Sequence, residues 1–422
     1  MGFVHTIDDY ARKNERCFFW ISAFLLVITA VSFIAWALYQ NYDGEAIRFN
    51  LPYANAIFDG IAPFTPCGDL RWEYPPLAYL LLLPPRVFTA DPTMYMILYA
   101  VEVLIFLIIG LKVLMRMASR TDVSPALIVL SYVLSVALLH RFIYDRFDII
   151  VAVVTLVAIY CFMTNRTFAA SALIVLGMFM KLYPALLMPV FAILMVNRRQ
   201  YREVAVQIIF CMVLCVVLMA PFLIMAPDNA WNFISYHSDR GLQVESTFGS
   251  AMLMGAVMGL TDANIIFSFG SWNLDGGLAD SLASMASVIM VIGLVGSFAI
   301  YFLKGRRNSE SDGTMHLLLA CAVVLTSFVI LNKVFSAQYV IWLLLVYLPL
   351  AMYLDADRSR RLCAFTVLLM ALTIAMVFLY DDLLNIVAPG IMILFVRNIL
   401  LLVLLGIMWV CMIRKTAGSA DI

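Results

Sequence analysis

Two carboxylates, Asp43 and Glu45, stand one residue apart directly after a long apolar run, Cys17–Tyr39. A carboxylate held at an interface, against apolar walls, can be tuned into a general base, because burial lifts its pKa toward neutrality. The competing reading is that the pair caps the following helix or faces water. In that following stretch, Arg48–Gly60, the residues Phe49, Tyr53, Ala56 and Ile57 recur at helical spacing, which predicts a short helix lying in the membrane interface. The loop closes on Arg71-Trp72-Glu73-Tyr74-Pro75-Pro76-Leu77, where Glu73 adds a third carboxylate.

Four further strings carry ionisable groups beside apolar runs. Tyr144-Asp145-Arg146-Phe147-Asp148 opens one run, and Asp148 there also suits the positive end of a helix dipole. Lys181-Leu182-Tyr183-Pro184 closes another; a lysine at membrane depth costs several kcal/mol unless it is paired or wetted. His237, Arg240 and Glu245 fall within one ten-residue loop, and Lys333 and Gln338 share a second. Basic side chains in such places bind phosphate through charge-assisted hydrogen bonds, or else form ion pairs or snorkel.

Helices must hold these strings in place. The chain has 422 residues, of which 64% are hydrophobic and 13% charged, too apolar for a soluble core to conceal. Twelve runs approach the roughly 20 residues a crossing helix needs: Cys17–Tyr39, Thr93–Met115, Pro125–Leu139, Phe147–Met163, Phe168–Leu182, Pro184–Val196, Val204–Met225, Leu282–Leu303, Met315–Leu331, Tyr339–Leu354, Leu362–Tyr380 and Gly390–Ile413. The first is too long for a signal-peptide core and is read as a retained span. Leu77–Leu83, fenced by Pro75-Pro76 and Pro84-Pro85, is too short to cross. Left as an interfacial or re-entrant helix, it puts 18 of the 27 basic residues on one side. Among them are Lys112/Arg116/Arg120, Arg198/Arg199/Arg202, Lys304/Arg306/Arg307 and Arg414/Lys415. By the positive-inside rule that side is cytoplasmic. The expectation is an all-α, polytopic membrane bundle of about twelve spans with interfacial helices, both termini cytoplasmic, and the five reactive strings outside. No loop is large enough to fold alone, so residues 1–422 read as one membrane domain. Its acidic motif lies in loop 40–76 and its His/Arg/Glu set in loop 226–250.

The net charge is zero and no basic stripe lies away from the membrane edges, which argues against nucleic acid as a partner. Seven of the eight cysteines lie in or beside apolar runs, so neither a disulfide framework nor a cysteine–histidine metal site is expected. Asp43 and Glu45 are able to hold a divalent cation, but nothing in the sequence requires one.

Taken in order, these strings resemble the polyprenyl-phosphate-dependent glycosyltransferases of the GT-C superfamily, and within it glycosyltransferase family 87, which includes mycobacterial mannosyltransferases acting on phosphatidylinositol mannosides. The resemblance rests on Glu73-Tyr74-Pro75-Pro76-Leu77, Arg146-Phe147-Asp148, Lys181-Leu182-Tyr183-Pro184, His237 with Arg240–Ser246, and Lys333–Tyr339. The superfamily's acidic motif matches Asp43-Gly44-Glu45. A common Ser-Pro-Gln-Tyr string reads Ser-Ala-Gln-Tyr here. The spacing to Tyr53 is longer than the pattern, so which carboxylate is the base stays open. The resemblance implies transfer of a hexose, mannose first among them, from a polyprenyl-phosphate donor to a glycolipid or lipid-linked glycan at the extracytoplasmic face, with inversion. Asp43 ranks first as base, with Glu45 as its partner. Lys181, Arg240 and Lys333 would hold the donor phosphate. Glu73, Arg146, Asp148, His237, Glu245 and Gln338 would contact substrate. Two rival readings are a transporter or flippase of lipid-linked sugars and a non-catalytic scaffold. Transporters usually place polar groups near the midplane and carry repeats; here the ionisable residues gather at one face, with Glu102 and Arg397 the main exceptions, and no internal repeat is evident.

Overall fold

The computed structural model describes residues 2–68, 70–305 and 313–414. Arg306, Arg307 and Lys415, members of two of the basic clusters, lie outside them. The described chain is helical apart from one small sheet. In order, the helices are α1 Gly2–Lys13, α2 Glu15–Tyr39, α3 Leu51–Phe58, α4 Leu83–Phe88, α5 Pro92–Ala118, α6 Pro125–Leu138, α7 His140–Ile143, α8 Asp148–Met163, α9 Thr167–Met180, α10 Leu187–Asn197, α11 Tyr201–Met225 and α12 Asn232–Asp239. After them come α13 Thr247–Val257, α14 Gly277–Gly305, α15 Gly313–Leu331, α16 Val340–Ala351, α17 Ala356–Phe378, α18 Tyr380–Leu384 and α19 Ala388–Arg414.

Among the described residues, seven helices are long and apolar enough to cross a membrane: α2, α5, α11, α14, α15, α17 and α19. The other five apolar runs of the sequence lie in helices of 10–17 residues. The sixteen residues of α8 rise about 24 Å at 1.5 Å each. The protein is thus a multi-pass membrane protein built as a helical bundle. Burial follows the helical repeat. In α2, Leu26, Ala30, Phe33 and Ala37 are buried, while Trp20, Phe24, Ile28 and Val31 are exposed. Exposed apolar side chains on a spanning helix face lipid. Helix starts follow local chemistry as well: Asp91 and Ser124 accept hydrogen bonds from the Met94 and Leu127 amides, with Pro92 and Pro125 at the first helical position.

The contacts divide the chain into two compact units, interleaved in sequence. The first comprises residues 1–188, 202–237 and 351–363. In it α5 packs on α2 and α8, and α8 packs on α9. The loop after α2 forms a π-helical turn, Ala46–Asn50, that runs into α3. This is the expected helix, with Tyr53 and Ala56 buried and Phe49 exposed. The Leu77–Leu83 piece is a 3-10 helix, Pro76–Leu82, continued by α4. Together they rise about 23 Å, short of a roughly 30 Å hydrocarbon core.

The second unit comprises residues 189–201, 238–350 and 364–422. Its centre is α15, 83% of whose apolar window is buried, packed on α14 and α19. Two of its elements were not expected. Helix α13 is apolar; it begins within loop 226–250 and runs beyond its end. A three-stranded antiparallel sheet takes one strand from that loop, β1 Leu242–Gln243, and two from farther along the chain, β2 Asn264–Ser268 and β3 Ser271–Asp275, in the order β1-β3-β2. The turn at Phe269-Gly270, both at positive φ, closes the β2–β3 hairpin.

Candidate active site

In the first unit, the end of α2, the loop after it and the α7–α8 connection line a cleft of about 850 Å³. Asp43, Glu45, Arg48, Arg141, Asp145 and Arg146 all reach it. The two carboxylates of the acidic motif sit very differently. Asp43 is half exposed, and its Oδ2 accepts from Arg48 Nε at 2.8 Å. Glu45 is only 10% exposed, with Oε2 2.5 Å from a terminal nitrogen of Arg146. Burial pushes Glu45 up to about 7. Arg146 pulls against that rise, Asp145 and Asp148 add to it, and Lys181 opposes it. For Arg146, burial works against the charge, yet Glu45, Asp145 and Asp148 together hold its pKa above the ordinary value.

Lys181 lies in the same unit. Helix α9 ends at Met180 and Lys181 is extended, because Pro184 ends regular helical hydrogen bonding; the chain resumes as a 3-10 turn, Tyr183–Leu186. Released from the helix, Lys181 Nζ reaches Asp148 Oδ1 at 2.7 Å, with both side chains largely buried. The same nitrogen stands 5.0 Å above the Phe147 ring. Asp148 is therefore an ion-pair partner as well as the first residue of α8. Glu73 accepts from the Tyr53 hydroxyl, beside the packed rings of Tyr53, Trp72 and Tyr79. His237, half-buried, stands in the last turn of α12 near the ring of Tyr236.

The remaining expected residues belong to the second unit. Arg240 is buried and donates to Ser271 Oγ at 2.9 Å. Lys333 donates to the Ser238 carbonyl at 2.7 Å, and burial lowers its pKa. The backbone amide of Gln243 donates to the Lys333 carbonyl at 3.0 Å, while the side chains of Gln243 and Ser336 bond at 2.9 Å. These bonds tie the two motif loops together. Gln338 is half-buried in the 3-10 turn Ala337–Tyr339. Glu245 is buried, and its carbonyl accepts from Arg397 and Asn398 of α19, each at 3.1 Å. Asn398 also donates to Ser250 Oγ at 2.9 Å, and the Arg397 guanidinium lies 4.2 Å from the Phe335 ring centre. Arg397 is fully buried. Its intramembrane charge was visible in the sequence, but its partner loop lies about 150 residues away, so the role was not. Asn398 gave no signal there.

Among the described residues, no group of three or more His, Cys, Asp or Glu side chains is arranged to hold a metal ion.

The model of glycosyltransferase family 87 matches residues 72–331. No curated protein matches the chain. Among solved structures, ArnT from Cupriavidus metallidurans bound to undecaprenyl phosphate is similar at 15% identity and a TM-score of 0.41, covering 94% of this chain and 78% of that one. The apo state of the same protein is similar at 15% identity and a TM-score of 0.37, covering 90% and 77%. With the family model spanning more than half of its length, the chain belongs to glycosyltransferase family 87.

Proposed function

We propose that this membrane glycosyltransferase moves a hexose, mannose in the first instance, from a polyprenyl phosphate to a glycolipid or lipid-linked glycan, with inversion at the anomeric carbon. The observation that carries the reading is the largely buried Glu45–Arg146 pair beside Asp148 and Lys181. A carboxylate of pKa near 7 is matched to removing a proton from a neutral hydroxyl at physiological pH. Asp43, ranked first from the sequence, is half exposed and paired with Arg48. We therefore assign the base to Glu45 and leave Asp43 at the cleft rim, where it holds Arg48 or the acceptor.

The acceptor oxygen attacks the anomeric carbon as its proton passes to Glu45. The bond from that carbon to the phosphate oxygen breaks, and its electron pair stays on the phosphate. Arg146 and Lys181 stabilise the charge that develops there. Their present partners, Glu45 and Asp148, keep both cations ordered in a largely buried place until the donor arrives. Glu73 and His237 are proposed as further substrate contacts within this unit; Arg240, Glu245, Lys333 and Gln338, which belong to the second unit, are proposed as substrate-binding residues there. A lipid-borne donor suits a cleft built at the end of a spanning helix, since the tail stays in lipid while the phosphate meets the cations. The donor class is tested with purified enzyme, a membrane lipid extract, and labelled mannose supplied on polyprenyl monophosphate or as a nucleotide sugar. Label is expected in a lipid product distinct from the donor only from the first; equal use of the nucleotide sugar defeats the proposal.

The basic clusters lead us to propose that both termini are cytoplasmic and the cleft extracytoplasmic. Single cysteines replacing Asp91 and Thr121 test this in intact cells. An impermeant maleimide should label the first and not the second. The reverse pattern overturns the orientation.

A further inference from the structure

Asp145 does no work in the reaction as written above, yet it is the most heavily used carboxylate of the cluster. It is 2% exposed. Its Oδ2 accepts from the Glu45 backbone amide at 2.8 Å and from the Tyr42 hydroxyl at 3.0 Å. Its Oδ1 accepts from the Ala46 amide at 3.0 Å. Those amides open the helical turn that follows Glu45, where backbone donors have no partner within the helix. One side chain from the α7–α8 connection therefore fixes the backbone on both sides of the Glu45 Cα. The loop approaches closely to make these bonds. A Cβ placed on Gly44 would collide with the Tyr42 ring and lie 2.6 Å from both Asp145 oxygens. Only glycine leaves room for the carboxylate there.

The next residue of the same connection, Arg146, is the ion-pair partner of Glu45. Asp145 and Arg146 thus act on one target from adjacent positions: the first holds its backbone, the second its carboxylate. We propose that Asp145 is a positioning residue for Glu45, acting through the backbone amides of Glu45 and Ala46, and that Gly44 is the residue that permits it. The proposal rests on Glu45 being the base.

This arrangement has an electrostatic signature. The groups acting on Glu45 are Arg146, Asp145, Asp148 and Lys181, with the hydroxyls of Tyr42, Tyr74 and Tyr99 facing it as well. Of these, Asp145 and Asp148 push its pKa up through their negative charge. Removing the Asp145 charge must lower the pKa of Glu45. The acidic limb of the pH–rate profile, where protonated Glu45 cannot accept a proton, then moves to lower pH. An uncharged residue that only supports the fold would reduce the rate without moving that limb, and the backbone hold itself is read in the exchange of the loop.

The test compares the full-length parent with Asp145→Asn, Asp145→Glu, Gly44→Ala and Glu45→Gln in lipid nanodiscs. Two quantities are read: hydrogen exchange of the peptide covering residues 42–50, and the pH dependence of transfer. In Asp145→Asn, exchange of that peptide is expected to quicken at least tenfold, kcat to fall roughly tenfold to a hundredfold, and the acidic limb to shift downward. Asp145→Glu, which keeps the charge, should leave the limb in place. Gly44→Ala should quicken exchange in the same peptide. Parent-like exchange in Asp145→Asn overturns the proposal, as does faster exchange with an unmoved limb. A Glu45→Gln enzyme that transfers at the parent rate would instead remove the base assignment, while the exchange data still decide whether Asp145 holds the loop.

Discussion

Glu45→Gln is expected to lower kcat by about 10²–10⁴, the range over which general bases contribute, while donor affinity changes little. The amide keeps the shape of the carboxylate and can still accept a hydrogen bond from Arg146, so the cleft should hold together. What it loses is the capacity to take a proton. In the parent, transfer should fall as pH drops through about 7, because burial places the Glu45 pKa there and only its ionised form is a base. That limb should vanish from whatever rate the variant retains. Asp43→Asn should cost far less, since its carboxylate is half exposed and paired with an exposed arginine. Initial rates across pH 5–9 for the three proteins decide between the carboxylates. An inactive Asp43→Asn beside a fully active Glu45→Gln would return the base to Asp43.

The second large effect is expected at Lys181. Its removal leaves Asp148, 2% exposed, as a buried charge without its 2.7 Å partner. Breaking one side of such a pair costs about 3–5 kcal/mol. Lys181→Ala should therefore lose both stability and donor use, two effects a single variant cannot separate. The double variant Lys181→Ala/Asp148→Ala separates them. With both charges gone no buried carboxylate is left lacking the Lys181 charge, so thermal stability should recover much of the loss. Transfer should not recover, because the cation assigned to the donor phosphate is still absent. Thermal unfolding in detergent and donor-saturation curves for the single and double variants provide the check. Recovery of transfer together with stability would reduce Lys181 to a structural cation.

How much of this was legible in the sequence depended on range. Span lengths, the proline break at Pro184 and the helix after the acidic motif are local features, and each appears close to where periodicity and turn chemistry put it. Helix α13 was missed because it is short and sits between polar strings, so no window of crossing length contained it. The β2–β3 hairpin was missed because Phe269-Gly270 is a weaker turn signal than the Asn-Gly type. Family membership was readable because it rests on ordered short strings, and it places the chain among glycosyltransferases rather than the transporters or scaffolds also considered. The ranking within the site was less legible. Asp43 and Glu45 look equivalent in sequence; they separate only when Arg146, about a hundred residues onward, covers one of them and leaves the other to solvent. Asp145 was visible in its motif but was not singled out as a site residue, because two of its partners are backbone amides, which leave no trace in residue types.

The assignment of Glu45 as base for a single displacement has a stereochemical consequence that no loss-of-function variant supplies. A hydroxyl that attacks directly, with its proton going to Glu45, must leave the new bond on the opposite face of the sugar. If a carboxylate instead attacked the anomeric carbon, a second displacement would restore the original face. The measurement is carbon NMR of the product formed from polyprenyl-phosphate mannose labelled with ¹³C at the anomeric position, using purified enzyme and a membrane lipid extract. One-bond carbon–hydrogen coupling at that position reports the configuration. Inversion relative to the donor is the predicted result, and a product of retained configuration would contradict it.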